Sequence, residues 1–246
     1  GHLVRFGNDY VYASASEIDA ILRRLSGKTQ RPSRLRLLEA ALSGTYEGSE
    51  VFMDDEIRKA VQEELKTPPA KVPDGLNATL RPYQERGYSW LMHNLRARMG
   101  SIIADDMGLG KTVQVIAALE NLRAAGELEK DPALVTVPAS VVINWTRELK
   151  RFAPDLSVNV YYGTQRSLEP KANVLLTTYG TLRQDIEKLK DKKWRVAIAD
   201  EAQNIKNPGS QIFQDMCLLQ TDSSIAMSGT PVENRLADYW AIMEFV

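Results

Sequence analysis

Lys111 and Thr112 close the stretch Asp105-Asp106-Met107-Gly108-Leu109-Gly110-Lys111-Thr112, whose residue types and order suit a phosphate cradle. Glycine lets a backbone approach polyphosphate without a Cβ clash. N–H groups at the start of a following helix can then bind the phosphate oxygens. The Lys111 ammonium would neutralise the β- and γ-phosphates, and the Thr112 hydroxyl would bind Mg²⁺. The usual phosphate-loop pattern has glycine where this chain has Asp105, so the stretch alone is degenerate. A second candidate lies downstream. Arg195-Val196-Ala197-Ile198-Ala199-Asp200-Glu201 is an apolar run ending in two acids. A Mg·ATP site needs one carboxylate at a strand end for the metal and a second group for the attacking water. Asp200 would address the metal and Glu201 the water. An Asp-Glu pair at a helix start is also a common surface feature; the phosphate loop upstream favours the chemical reading.

These residues need elements to position them. Ser101-Ile102-Ile103-Ala104 before the loop reads as a strand, and Val113–Ala125 after it as a helix. From Leu80 onward, strand-like runs (101–104, 133–137, 158–161, 174–177, 196–199, 224–227) alternate with helix-like ones (83–98, 113–125, 141–152, 179–189, 210–219, 238–245). The strands lack clean polar alternation, as expected when both faces are covered. Repeated βα units predict an α/β fold with a parallel sheet between helical layers. Ligands in such sheets bind at the carboxyl ends of the strands, where the phosphate loop falls.

Before residue 80 the texture differs. Residues 1–66 read as an accessory segment with a hairpin around Gly7-Asn8-Asp9 and helices at Ser16–Leu25, Ser33–Leu42 and Asp54–Leu65. Residues 67–79 hold Pro68, Pro69, Pro73 and Gly75 and read as a linker. Residues 80–246 form the chemistry-bearing domain. Gly1-His2 reads as a cloning remnant, and no signal peptide is visible.

At 246 residues and 43% hydrophobic content the chain can bury a sizeable core. No stretch reaches the apolar length of a membrane span. The single cysteine, Cys217, excludes an internal disulfide framework and fits a reducing compartment; Ile212–Leu219 reads as a buried helix, making it an inert core thiol. The net charge of −1 is not that of a globally basic nucleic-acid binder, so any electrostatic footprint must be local. Ala20–Leu38, with Arg23, Arg24, Lys28, Arg31, Arg34 and Arg36, and the cluster Lys188, Lys190, Lys192, Lys193 are either solvated faces or phosphate contacts.

The motifs form an ordered series that resembles the SWI/SNF-type ATPases, the double-stranded DNA translocases of helicase superfamily two. Leu80-Arg81-Pro82-Tyr83-Gln84 with Gly87-Tyr88-Ser89-Trp90-Leu91 looks like that family's adenine-recognition segment. Asp105–Thr112 matches its first motif, which has an acid where other phosphate loops have glycine. Leu134–Ser140 with Asn144-Trp145 and Glu148 is similar to motif Ia, and Thr177–Leu182 to motif Ib. Asp200–Asn207 resembles motif II and Met227–Asn234 motif III, with Leu236–Phe245 like the helix that follows. One departure is Gln203, where the family usually has His. Both side chains can hydrogen-bond toward motif III, so altered tuning rather than lost activity is expected.

The resemblance implies a RecA-like P-loop NTPase three-layer sandwich with a mostly parallel central sheet, preceded by a small, mostly helical accessory segment. It implies ATP and Mg²⁺ as cofactors. Gln84 would bond the adenine edge, with Arg81 beside it. Asp105, Met107, Gly108, Leu109, Gly110, Lys111 and Thr112 would hold phosphate, and Thr112 and Asp200 the metal. Lys111, Asp200 and Glu201 would carry the chemistry. Gln203, Ser228 and Thr230 would couple the nucleotide site to the DNA face. DNA contacts, at the sheet's other rim, would come from Pro138, Ala139, Ser140, Thr178, Tyr179 and Gly180, reading backbone rather than bases. Trp145 reads as core packing or a DNA contact, and Trp90 as helix packing.

The chain ends just after motif III. The family's engine has a second RecA-like lobe, which supplies arginine fingers worth roughly 10³–10⁵ in rate in related systems. The expectation is thus a first motor lobe that binds nucleotide weakly and hydrolyses it barely, working inside the cell on DNA and acting on a protein substrate. Two rival readings are a strand-separating helicase and a non-catalytic, nucleotide-gated interaction module.

Overall fold

The computed structural model describes residues 67–106, 108–229 and 236–246, with the backbone of 2–6, 9–13, 45–46 and 49–50; side chains are described for 67–106, 108–229 and 240–246. The chain divides into two compact units, Gly1–Leu65 and Lys66–Val246. In the first, β1 (His2–Phe6) pairs antiparallel with β2 (Asp9–Ala13), Phe6 opposite Asp9, as the Gly7-Asn8 turn signal predicts. A second antiparallel pair joins β3 (Thr45–Tyr46) to β4 (Ser49–Glu50). The helices predicted before Lys66 and the basic stretch Ala20–Leu38 lie outside the described residues.

The second unit alternates helices and strands. α1 (Pro82–Ala97) leads into β5 (Ser101–Ile103), and α2 (Lys111–Ala124) into β6 (Ala133–Val137). α3 (Val142–Phe152) is followed by β7 (Val158–Tyr161) and β8 (Val174–Thr178). Next come α4 (Tyr179–Gln184), α5 (Ile186–Leu189), the short β9 (Lys193–Trp194) and β10 (Val196–Ala199). α6 (Gln211–Cys217), β11 (Gln220–Thr221), β12 (Ser224–Met227) and α7 (Leu236–Phe245) complete it.

Six strands form one sheet in the order β5-β12-β10-β6-β8-β7, and every pairing in it is parallel. Strand residues alternate between two cores. Val135, Val137, Val196, Ile198, Ile225 and Met227 pack against α1, α2 and α3. Leu134, Leu175, Ala197, Ala199 and Ala226 pack against α4, α6 and α7. Because both faces of the inner strands are buried, these read as continuous apolar runs, whereas the edge strand β7 leaves Val160 exposed. This is the three-layer α/β sandwich.

Two expectations are corrected here. Tyr179–Leu189 is not one helix: it breaks at Asp185. The Asp185 carboxylate takes bonds from Tyr161 Oη (2.8 Å), Arg166 Nε (2.6 Å) and Lys188 Nζ (3.4 Å). A short polar side chain recruited this way competes with the helical ladder. Cys217 is exposed at the end of α6 rather than buried.

Residues 67–79, expected as a linker, lie within the second unit. Leu76 and Leu80 are buried in the first core, with Ala70 and Val72 packed on it. Asn77 N–H donates to the Phe152 carbonyl at 2.7 Å and Tyr88 Oη to the Lys71 carbonyl at 2.8 Å. The prolines here stiffen a strap whose backbone has partners on α1 and α3. Three lysines of the cluster are locally neutralised: Lys188 pairs with Asp185, Lys190 with Glu187, and Lys193 with Asp131 and Asp222, while Lys192 lies over the Trp194 ring. No helix among the described residues is long and apolar enough to cross a membrane.

Candidate active site

A parallel sheet sends the carboxyl ends of all its strands to one rim. The phosphate loop follows β5, Ser228 follows β12, Asp200 and Glu201 follow β10, Pro138 follows β6, and Thr178 ends β8. The motif Ia and Ib loops therefore share the rim of the phosphate loop. The expectation of an opposite rim is overturned, because β6 and β8 run parallel to β5, β12 and β10. Separation comes from strand order: β12 and β10 stand between β5 and β6, so the acids sit midway along the row.

The phosphate loop is tied down at several points. Gly110 caps α2 in the left-handed region (φ 79°, ψ 42°), and a Cβ there would run into the Gln84 amide. Glycine meets both demands. The first N–H groups of α2, at Lys111 and beyond, have no intrahelical acceptor and form the anion-binding end of the helix. Lys111 Nζ folds onto the carbonyls of Asp105 (2.6 Å) and Asp106 (3.0 Å). The Asp105 carboxylate accepts from Gln114 Nε2 at 3.1 Å, so the acid that replaces glycine pins the loop to α2. Gln84 Nε2 and Tyr83 Oη both donate to the Leu109 carbonyl at 3.0 Å, while Gln84 Oε1 accepts from Arg81 N–H at 2.9 Å. Gln84 thus fastens the loop to the start of α1. Met107 lies outside the described residues.

The acids are held more tightly still. Asp200 is reached by four partners. Its N–H donates to the Thr136 carbonyl at 2.9 Å, and its Oδ1 accepts from Glu201 N–H at 2.9 Å. Its Oδ2 accepts from Trp145 Nε1 at 2.7 Å, and its carbonyl from Tyr179 Oη at 2.6 Å. Burial pushes the Asp200 carboxyl above the usual range, helped by the Glu201 charge and opposed by the Trp145 and Glu201 N–H bonds and by Lys111. Glu148, one turn beyond Trp145 on α3, is also raised, by burial and then by the Asp200 charge. Burial raises the Tyr179 hydroxyl well above its ordinary value, with the Asp200 and Glu201 charges adding to it. This corner therefore carries negative charge that a cation would relieve.

Glu201 adopts a left-handed backbone (φ 49°, ψ 57°), uncommon for a side chain of its size. That turn directs the chain into the 3₁₀ segment Ala202–Ile205. Gln203 then bridges: its Nε2 donates to Glu201 Oε2 at 2.7 Å, and its Oε1 accepts from Ser228 Oγ at 3.2 Å. Three of the residues singled out from sequence are thereby linked. Thr230 lies outside the described residues.

On the DNA-expected loops the outcome is mixed. Ala139 and Ser140 are exposed and Pro138 is half-buried at the entry to α3; Gly180 is exposed at the start of α4. The hydroxyls of Thr178 and Tyr179 are not presented to solvent. Thr178 caps α4, accepting from Thr181 N–H at 3.1 Å, and Tyr179 is bonded to Asp200. Trp145 is buried, 2% exposed, as core packing predicts. Its bond to Asp200, across 55 positions, had no sequence signal beyond the rule that a buried indole N–H needs a partner.

One carboxylate (Asp200) and one hydroxyl (Thr112) suit Mg²⁺, a hard cation that takes few protein oxygens and leaves its other positions to phosphate and water. Among the described residues no group of three or more His, Cys, Asp or Glu side chains could hold a metal.

The fold and this rim define a P-loop NTPase lobe of the helicase kind. The SNF2-related domain matches residues 83–246, so the chain belongs to that family of helicase-like ATPases. It is 42% identical over 200 residues to YwqA of Bacillus subtilis strain 168, covering 77% of this chain and 21% of YwqA. It is 38% identical over 191 residues to the helicase swr1 of Aspergillus fumigatus, covering 74% of this chain and 11% of that protein. Among solved structures it is similar to the Sulfolobus solfataricus SWI2/SNF2 ATPase core in complex with dsDNA: TM-score 0.68, 40% identity, 73% of this chain and 38% of that one. The chain thus spans only a minor part of each of these proteins.

Proposed function

We propose that this chain is the first motor lobe of an ATP-dependent translocase that moves along duplex DNA inside the cell and remodels protein–DNA complexes. The observation that carries the reading is Asp200. It sits at the middle of one rim, with the phosphate loop at one end and the motif Ia and Ib loops at the other. The duplex bound to the Sulfolobus SWI2/SNF2 core supports double-stranded DNA as partner.

The residues divide the work. Phosphate is held by the N–H groups at the start of α2 and by Lys111, whose carbonyl partners on the loop keep its ammonium at hand. Thr112 and Asp200 hold Mg²⁺. When bound, that ion supplies charge neutralisation on the phosphates. Glu201 orients the attacking water and takes its proton; Gln203 fixes the carboxylate and links it to Ser228. An amide has two donors and two acceptor lone pairs. Gln84 uses one of each within the protein and has one of each for the adenine edge, with Arg81 adjacent. Ala139, Ser140 and Gly180 offer backbone to DNA phosphates, which suits a motor indifferent to sequence.

Fast hydrolysis requires arginine fingers from a second lobe, roughly 10³–10⁵ in rate. The test compares ATPase rates of these 246 residues with those of a longer protein carrying both lobes, each with and without duplex DNA. The expected result is DNA-stimulated turnover only in the longer protein. Robust DNA-stimulated turnover from the 246 residues alone would refute the two-lobe requirement. Triplex displacement without unwinding of a tailed duplex distinguishes the translocase from a strand-separating helicase.

A further inference from the structure

Asp200 is gripped from two sides by aromatic residues of the elements that carry the loops proposed to meet DNA. Trp145 lies on α3, just past the exposed turn Ala139–Ser140, and its Nε1–H donates to Asp200 Oδ2 at 2.7 Å. Tyr179 opens α4, beside exposed Gly180, and its hydroxyl donates to the Asp200 carbonyl at 2.6 Å. Both rings are buried, so neither can swing without moving its helix. One bond fixes the carboxylate rotamer, the other the peptide that carries it.

We infer that Trp145 and Tyr179 are positioning residues that aim the Asp200 carboxylate at Mg²⁺ and transmit displacement of the Ala139–Ser140 and Gly180 loops to the metal site. This rests on the functional reading above. The mechanism is direct: a phosphate that draws either loop outward shifts α3 or α4, and the ring on that helix shifts Asp200. By linkage, whatever DNA does to Mg²⁺-nucleotide affinity, Mg²⁺-nucleotide does to DNA affinity.

The test measures binding, not turnover. A fluorescent ATP analogue is titrated into the full chain across a Mg²⁺ series and in EDTA, with and without a short duplex. Wild type is compared with Trp145→Phe, which keeps an apolar ring and removes the N–H, and with Tyr179→Phe, which removes only the hydroxyl. Loss of a hydrogen bond to a charged acceptor raises the Mg²⁺ concentration for half-maximal tightening about tenfold in Trp145→Phe. Loss of a neutral one raises it about threefold in Tyr179→Phe. Affinity in EDTA stays at the wild-type value in both, which a general packing defect would not leave intact. The ratio of affinities with and without duplex falls toward unity in both variants. Wild-type Mg²⁺ curves and wild-type duplex ratios in correctly folded variants overturn the inference. If Trp145→Phe does not fold, Tyr179→Phe decides by the same criteria. Absence of Mg²⁺-dependent binding in wild type overturns the functional reading, and this inference with it; wild-type binding with unchanged variants overturns this inference alone.

Discussion

Gln203 Nε2 donates to Glu201 Oε2 at 2.7 Å, so this glutamine holds the carboxylate proposed to activate water. Its other end takes the Ser228 hydroxyl at 3.2 Å, joining the loops after β10 and β12. Glutamine fits because one planar amide is donor and acceptor at once. Replacing it with Ala in the two-lobed protein frees the Glu201 carboxylate. We expect kcat to fall about tenfold, the cost of about one charged hydrogen bond, with KM for ATP nearly unchanged. Gln203→His should recover most of the loss in a steady-state ATPase assay.

Lys111 and Glu201 should separate binding from hydrolysis. Lys111→Ala removes the ammonium near the phosphates and should weaken fluorescent-nucleotide binding tenfold or more, about 1.4 kcal/mol. Glu201→Gln keeps the size of the side chain and removes the proton acceptor. It should bind Mg²⁺-nucleotide with near wild-type affinity while the two-lobed protein loses roughly 10²–10⁴ in rate. Similar binding losses in both variants would contradict the assigned roles.

Gly87 on α1 faces Gln114 on α2, and a Cβ at position 87 would collide with the Gln114 amide oxygen. Gln114 is buried and holds Asp105. Gly87→Ala gains up to about 1 kcal/mol of helix propensity but displaces that amide. The expected outcome is a lower melting temperature and a several-fold loss of nucleotide affinity through the loosened phosphate loop. Asp105→Asn, which replaces the charged acceptor with an amide, should reproduce the affinity loss with less effect on melting.

The Arg166 guanidinium, with Tyr161 and Lys188, lowers the Asp185 carboxyl to about 2 despite the opposing effect of burial. A depressed carboxylate contributes stability above its unfolded value, near the ordinary range, and loses it as pH falls through the folded value. From pH 7 to 4 the contribution is constant, about 2 kcal/mol; between about pH 4 and 2 it disappears. Asp185→Asn should lower stability by a comparable amount at pH 7 and flatten the acid limb of a denaturant-midpoint series. An unchanged acid limb would mean that the Arg166 pair persists in the unfolded chain.

Much of the site was legible because its signals are local. A glycine that must take positive φ before α2, a lysine and a hydroxyl following it, and two acids ending an apolar run are set by a few adjacent residues. The strands at 133–137, 158–161, 196–199 and 224–227 match their predicted bounds; for the three inner ones a run buried on both faces is visible in composition alone. The break at Asp185 was not visible, because its cause lies at Tyr161 and Arg166, on another segment.

The sequence by itself determined the α/β class, the phosphate loop and the acid pair. The tertiary structure decided which loops share an edge. Only the strand order, with β10 and β12 inserted between β5 and β6, puts the acids between the phosphate loop and the loops proposed to meet DNA. Only packing brings Trp145 and Tyr179 onto one aspartate, the indole onto the Asp200 carboxylate and the phenol onto its backbone carbonyl. Periodicity records which face of an element is buried. It carries no record of which distant polar atom waits there, because that partner is chosen by the register of neighbouring strands.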